Sequence, residues 1–188
     1  MIDELRGKHR SEMAYIVGCG PSLLFLKAEH FGRGPVISIS ESIKKVESLG
    51  LENQTYSFQK DIGVIVPDRA TLILNEFEED SWSYLPEYEP RYTFINDRDF
   101  GITPHTVSAL TAAHFAKYMG CNAIAMVCCD VNINGDSRTC VFKNDGSYEI
   151  TGPNPEYKWH LVELRGRLNE LGMKVYWTLP GFSGELND

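Results

Sequence analysis

No stretch of the 188-residue chain approaches the roughly 18 consecutive apolar residues that a membrane-spanning helix needs. The opening residues, Met1 to Lys8, are charged and carry no apolar core of the kind found in a secretory leader, so a cytoplasmic protein is expected. No Cys-x-x-Cys pair occurs among the five cysteines, Cys19, Cys121, Cys128, Cys129 and Cys140. An odd count without ligand spacing excludes a disulfide framework and a zinc ribbon, and predicts reduced, mostly buried thiols. Positive charge is scarce: 18 Lys and Arg stand against 26 Asp and Glu, for a net charge of -8. That balance argues against nucleic acid as a partner, because a phosphate backbone requires basic patches. A single anionic nucleotide remains admissible, since backbone amides can hold it. No repeat, low-complexity tract or linker breaks the sequence, and its length suits one domain spanning residues 1–188.

What is present is an alternation of short apolar runs with amphipathic ones. That is the pattern of a mostly parallel sheet with helices on both faces, so the chain is expected to be α/β, a single Rossmann-like domain. Strands are predicted at Ala14–Val17, Val36–Ile39, Thr55–Phe58, Thr71–Leu74, Tyr92–Ile95, Ala123–Cys128 and Lys174–Thr178. Ser22 is placed to cap a helix ended by Gly32, and Ser40 to cap a short helix closed by Gly50. Pro104–Tyr118 reads as a helix buried on both sides, because neither face is strongly polar. Glu156–Leu171 reads as the last helix, with Tyr157, Leu161, Leu164, Leu168 and Leu171 as its apolar stripe. Asp145-Gly146 is a hairpin turn signal and predicts a small β-hairpin insertion near 137–150. The acidic stretch Glu76–Glu89 reads as a solvated surface segment.

Gly18-Cys19-Gly20-Pro21-Ser22 falls between the first strand and the element after it. Glycines there let backbone approach a ligand closely, and a helix start attracts an anion. The turn lacks the third glycine of the dinucleotide fingerprint and the Gly-Lys-Ser/Thr of a Walker loop. A tight turn without a ligand is the other reading. Ser40, Asp61 and Asp130 each fall at the carboxyl end of a predicted strand, the edge along which open α/β sheets bind ligands. His105 stands just before a helix turn that should face the same edge, and His114 reads as core. Asp130-Val131-Asn132-Ile133-Asn134-Gly135 starts like a calcium loop, but Val141 stands where the twelfth-position carboxylate is required. It is read as a polar turn, and no metal site is expected. His160, beside Trp159, lies at the margin of the last helix's apolar stripe.

The order of these pieces resembles two related families. Gly18-Cys19-Gly20-Pro21-Ser22-Leu23 is similar to the opening shared by bacterial lipooligosaccharide sialyltransferases, which use CMP-sialic acid, and by proteins with a 6-hydroxymethylpterin pyrophosphokinase-like domain. Val36 to Ser40 resembles the second strand of both, with Ser40 where Asn is common, and Lys60-Asp61 resembles the end of the third. His105-Thr106-Val107 through Tyr118-Met119-Gly120, then Ile124 to Asp130, resembles their central helix and following strand, with His105-Thr106 in place of Ser-Gly. His160 and the helix leading to Lys174-Val175-Tyr176 resemble the sialyltransferase catalytic His region.

The resemblance implies a glycosyltransferase-like transferase that takes a nucleotide-activated sugar, possibly CMP-linked. Gly18, Cys19, Gly20, Pro21, Ser22, Ser40, Asp61, His105, Thr106 and Asp130 would then contact the nucleotide. His160 would be the general base, and Tyr148 or Tyr157 would donate to the leaving phosphate, with no metal or other cofactor required. Two alternatives stay open. One is a pyrophosphoryl transferase with magnesium held by Asp61 and Asp130, and the other is a nucleotide- or sugar-binding protein without catalysis.

Overall fold

The computed structural model describes residues 2–60, 66–76, 88–103, 107–142, 147–155 and 157–181, without the side chains of 157–163. The apolar runs form strands β1 (Met13–Val17), β2 (Val36–Ile39), β3 (Thr55–Gln59), β4 (Thr71–Asn75), β5 (Arg91–Phe94) and β6 (Ala123–Val127). A hairpin of β7 (Cys140–Phe142) and β8 (Tyr148–Ile150) follows, and β9 (Lys174–Thr178) is the last strand. Seven strands make one sheet in the order β5-β4-β3-β2-β1-β6-β9, and every neighbouring pair is parallel. β7 and β8 pair antiparallel in a sheet of their own, the hairpin insertion expected from the sequence. The signal Asp145-Gly146 itself lies outside the described residues, as does most of the acidic stretch.

β2, β4 and β6 are buried at every position. A parallel sheet covered on both faces needs such uninterrupted apolar strands. Side chains alternate between two cores. Ile16, Ile37, Tyr56, Phe58 and Phe94 join Leu110 and Phe115 of helix α2 (Ser108–Tyr118) and Leu164 and Leu168 of α4 (Tyr157–Glu170). On the other face, Tyr15, Val17, Val36, Ala125 and Val127 meet Leu23, Leu26, Cys140 and Val46, the last from helix α1 (Ser42–Ser48). No helix among the described residues is long and apolar enough to cross a membrane.

Two side-chain networks brace the amino-terminal edge of the sheet. The His9 Nε2 lies 2.8 Å from the Tyr56 hydroxyl, and its Nδ1 lies 3.0 Å from Glu12 Oε2. The donor and acceptor roles of the two ring nitrogens depend on the tautomer. The Glu47 carboxylate accepts the amides of Asp68, Arg69 and Ala70 at 2.8, 2.7 and 2.9 Å, tying α1 to the entry of β4.

Three local expectations are corrected. The segment after the glycine turn is not an α-helix from Ser22 to Gly32 but two 3₁₀ turns, Pro21–Phe25 and Ala28–His30. The three-residue period puts Leu23 and Leu26 on one face, and both are buried. Ser40 does not cap α1. It is left-handed with φ 50, and the cap position is Glu41. Ser42 makes the local bonds instead, its one hydroxyl proton shared between the carbonyls of Val17 and Ile39 at 3.0 and 2.9 Å. α2 begins at Ser108, because Val107 before it is extended. Pro104, His105 and Thr106 lie outside the described residues.

Candidate functional site

With every pair parallel, the seven carboxyl ends lie along one edge of the sheet. The strand order reverses at β1: β2 to β5 step away on one side, and β6 and β9 lie on the other. Connections leaving β1 and β6 diverge there, and the crevice between them is where open α/β sheets take ligands. Gly18 to Ser22 leaves β1 at this point, and Cys128 to Asp130 leaves β6.

The two segments are bonded to each other. The Gly18 amide donates to the Val127 carbonyl at 2.8 Å, and the Gly20 amide to the Cys128 carbonyl at 3.0 Å. The Ser22 amide donates to Asp130 Oδ1 at 3.0 Å, and the Ser22 hydroxyl to Oδ2 at 2.6 Å. Asp130 is only 3% exposed. Burial pushes its carboxyl above the ordinary value, and the two bonds from Ser22 pull it back. A Cβ on Gly20 would overlap the Asp130 carboxylate, and one on Gly18 would come within 2.8 Å of the Cys128 carbonyl oxygen. Both glycines are therefore demanded by packing on the end of β6. The seat that the sequence offers to a ligand anion at Ser22 is held by the protein's own carboxylate. The Cys19 amide has no backbone partner among the described residues.

The rest of the edge closes around this pair. The Cys19 thiol donates to the Ile39 carbonyl at 3.2 Å, joining the loop to the end of β2. The Cys140 amide donates to the Cys19 carbonyl at 2.7 Å, which draws the hairpin over the loop. Ser40 at the end of β2 and Cys128 at the end of β6 are both left-handed, with φ 50 and 56. The Ser40 amide donates to Phe58 and its carbonyl accepts from the Gln59 side chain, so its backbone is held from β3. Burial pushes the Cys19 and Cys129 thiols up to about 12, so neither is a thiolate near neutral pH.

Of the residues proposed from the sequence, Gly18 to Ser22 and Asp130 are brought into direct contact. Ser40 stands on the neighbouring strand end. Tyr148 is exposed on β8, opposite Phe142, in the hairpin anchored at Cys19. Asp61, His105 and Thr106 lie outside the described residues. Tyr157 and His160 are described by backbone alone, in the first turn of α4. α4 is held against the one-turn helix α3 (Asp130–Ile133), since Arg165 Nη2 donates to the Asn132 carbonyl at 2.6 Å. α3 is the segment read from sequence as a polar turn.

Two residues at this edge carry no sequence signal. Glu41 has a buried carboxylate oxygen, Oε2, without a partner among the described residues, and burial raises its pKa while the Phe142 amide lowers it. Asn132 is 5% exposed, and its Nδ2 likewise lacks a partner among the described residues. A Glu after a strand and an Asn in a polar run are ordinary surface residues until the hairpin and α4 cover them. Among the described residues no group of three His, Cys, Asp or Glu stands close enough to hold a metal ion. Asp130 already accepts the two donors of Ser22, and Asp61, the other carboxylate of the magnesium reading, lies outside the described residues.

No family model matches the chain, and no curated protein matches it. Among solved structures the chain is similar to the sialyltransferase CstII from Campylobacter jejuni, in complex with a substrate analogue, cytidine-5'-monophosphate. The likeness has 11% sequence identity and a TM-score of 0.38, and covers 93% of this chain and 82% of that one.

Proposed function

We propose that the chain is a glycosyltransferase-like protein that binds a nucleotide-activated sugar, CMP-linked in the first instance, where β1, β2 and β6 end. The observation that carries this reading is the pair of left-handed residues, Ser40 and Cys128, on the strands either side of the glycine turn. Each costs on the order of 1–3 kcal/mol, and such strain gathers where a ligand shape must be held. The unpartnered Glu41 oxygen and Asn132 amide belong to the same edge. In this reading the Cys19 amide meets the ligand phosphate, and Asp130, with Ser40 and Asp61, receives hydroxyls of ribose or sugar. His105 and Thr106 are further nucleotide contacts in this reading. His160 takes the proton from an acceptor hydroxyl as the bond between sugar and phosphate breaks. Tyr148 or Tyr157 donates to the departing phosphate.

One observation favours a binding protein without catalysis as the second reading. The Asp130 carboxylate already fills the anion seat at Ser22, which leaves little of a phosphate cradle. Titration calorimetry with CMP, CMP-sialic acid, UDP-sugars and free sugars separates the two. The enzyme reading expects CMP-sugar binding that His160→Ala preserves and transfer that His160→Ala abolishes. Binding of free sugar without any nucleotide selects the second reading, and binding of none of these ligands overturns both.

A further inference from the structure

β9 closes one side of the main sheet and, among the described residues, has a single neighbour, β6. Its open edge can be read residue by residue. The Lys174 amide donates to the Asn122 carbonyl, and the Thr178 carbonyl accepts from the Cys128 amide, so these two residues turn their backbone groups toward β6. Backbone groups change sides at each step along a strand. Tyr176 therefore also faces β6, while the amides and carbonyls of Val175 and Trp177 point outward. A row of outward groups is a template for another strand unless something blunts it. The opposite edge strand, β5, is entered through Pro90 and begins at the exposed Arg91. β9 has no proline, and its one charge is Lys174. In a chain of net charge -8 this strip carries no carboxylate. Tyr176 is 51% exposed. An open groove of about 580 Å³ runs beside it, lined by Tyr15, Ala123, Ala125 and Lys174.

We propose that β9 pairs antiparallel with β9 of a second copy of this chain, about a twofold axis through Tyr176, joining two sheets into one. The outward groups dictate the register. Val175 stands opposite Trp177 of the second copy as a hydrogen-bonded pair, each amide donating to the other's carbonyl, and the axis repeats the exchange. Centring on Tyr176 keeps every outward group of β9 bonded within β9. Tyr176 then meets its own symmetry mate as a non-hydrogen-bonded pair, the closer kind in an antiparallel ladder. The two exposed rings come into contact, and Lys174 falls opposite Thr178, so no like charges oppose. Centring on Lys174 would set two ammonium groups face to face.

Sedimentation velocity and hydrogen–deuterium exchange on the full chain, over a range of protein concentration, test this. A reversible dimer is expected. The amides of Val175 and Trp177 gain protection as it forms, whereas the Tyr176 amide, already bonded to β6, is protected throughout. Tyr176→Lys places like charges at the closest pair and removes the ring contact, so the dimer Kd should rise about tenfold or more, with Tyr176→Phe near wild type. The half-exposed position lets the Lys variant keep its fold, which an unchanged Tm verifies. A wild-type chain that stays monomeric at every concentration overturns the proposal. So does a dimer whose Kd is unmoved by Tyr176→Lys, since the contact then lies elsewhere.

Discussion

The Ser22 hydroxyl lies 2.6 Å from the Asp130 carboxylate, across 108 residues of chain. With the Ser22 amide on the other carboxylate oxygen, this pair joins the first loop of the sheet to the loop after β6. It sets a buried charge against two neutral donors, without a cationic partner in the pair.

The pH dependence of that arrangement has a definite sign. Burial raises the Asp130 pKa above its unfolded value, so between the two values the folded state holds more protons. Stability contributed by this group falls as pH rises through that window and is regained on acidification. Glu41, raised by burial too, acts in the same direction. Asp130→Asn can keep both bonds, its Oδ1 accepting the amide and its Nδ2 donating to the hydroxyl. It should match or exceed wild type in Tm at pH 7 and flatten this part of the profile. Asp130→Ala leaves the Ser22 donors unpaired and should cost about 1–3 kcal/mol. Urea unfolding at several pH values checks both, and an Asn variant as weak as the Ala variant would mean that the charge itself holds the loop.

Gly20→Ala and Gly18→Ala should each destabilise the fold by about 1–3 kcal/mol, because the added methyl meets the Asp130 carboxyl in one case and the Cys128 carbonyl in the other. Gly166→Ala is the opposite case. A Cβ there meets nothing within 4 Å among the described residues, and the residue sits inside α4. Removing helix-interior glycine should stabilise by about 1 kcal/mol. Thermal unfolding of the three variants reads the contrast directly.

Tyr56→Phe deletes the hydroxyl that serves His9 and leaves the buried Nε2 without its partner. The expected loss is about 1–2 kcal/mol with no change in fold, measured by urea denaturation. A variant equal to wild type would assign the contact no net value.

The thiols should be slow to react in the native protein. Burial pushes Cys121 up to about 12 and Cys140 up to about 11, as it does Cys19 and Cys129, and it pushes Cys128 up as well. With a thiol reagent at pH 8, colour should develop quickly only after denaturant is added. A fast native equivalent, traced by mass spectrometry, would mark a site that opens.

The strands were legible because each is a short apolar run, and burial on both sheet faces makes such runs continuous. Their order was not, since nothing in β6 says that it lies beside β1 and not beyond β5. Asp130 was found by its place after an apolar strand. Its partner Ser22 was read as a helix cap, because a serine after Gly-x-Gly-Pro has the same local signature whether its acceptor is a ligand or a residue 108 positions away. Glu41 and Asn132 were invisible for a related reason. Each becomes a buried, unpartnered polar group only when β7 or α4 arrives, and neither arrival leaves a mark in the local sequence.

The strand order also sets a timetable for synthesis. From β1 to β5 each new strand lies beside the one just made, so the first five can pair as they emerge. β6 must return to the far side of β1, and until residues 123–127 are available β1, an interior strand of the finished sheet, is an edge. On a ribosome the chain therefore passes through a half-sheet whose exposed margin is the apolar run Ala14–Val17. The bond between Ser22 and Asp130 closes only after α2 has crossed over and β6 has been made. A chaperone that shields growing chains would find its binding segment at β1 during that interval and lose it when β6 docks.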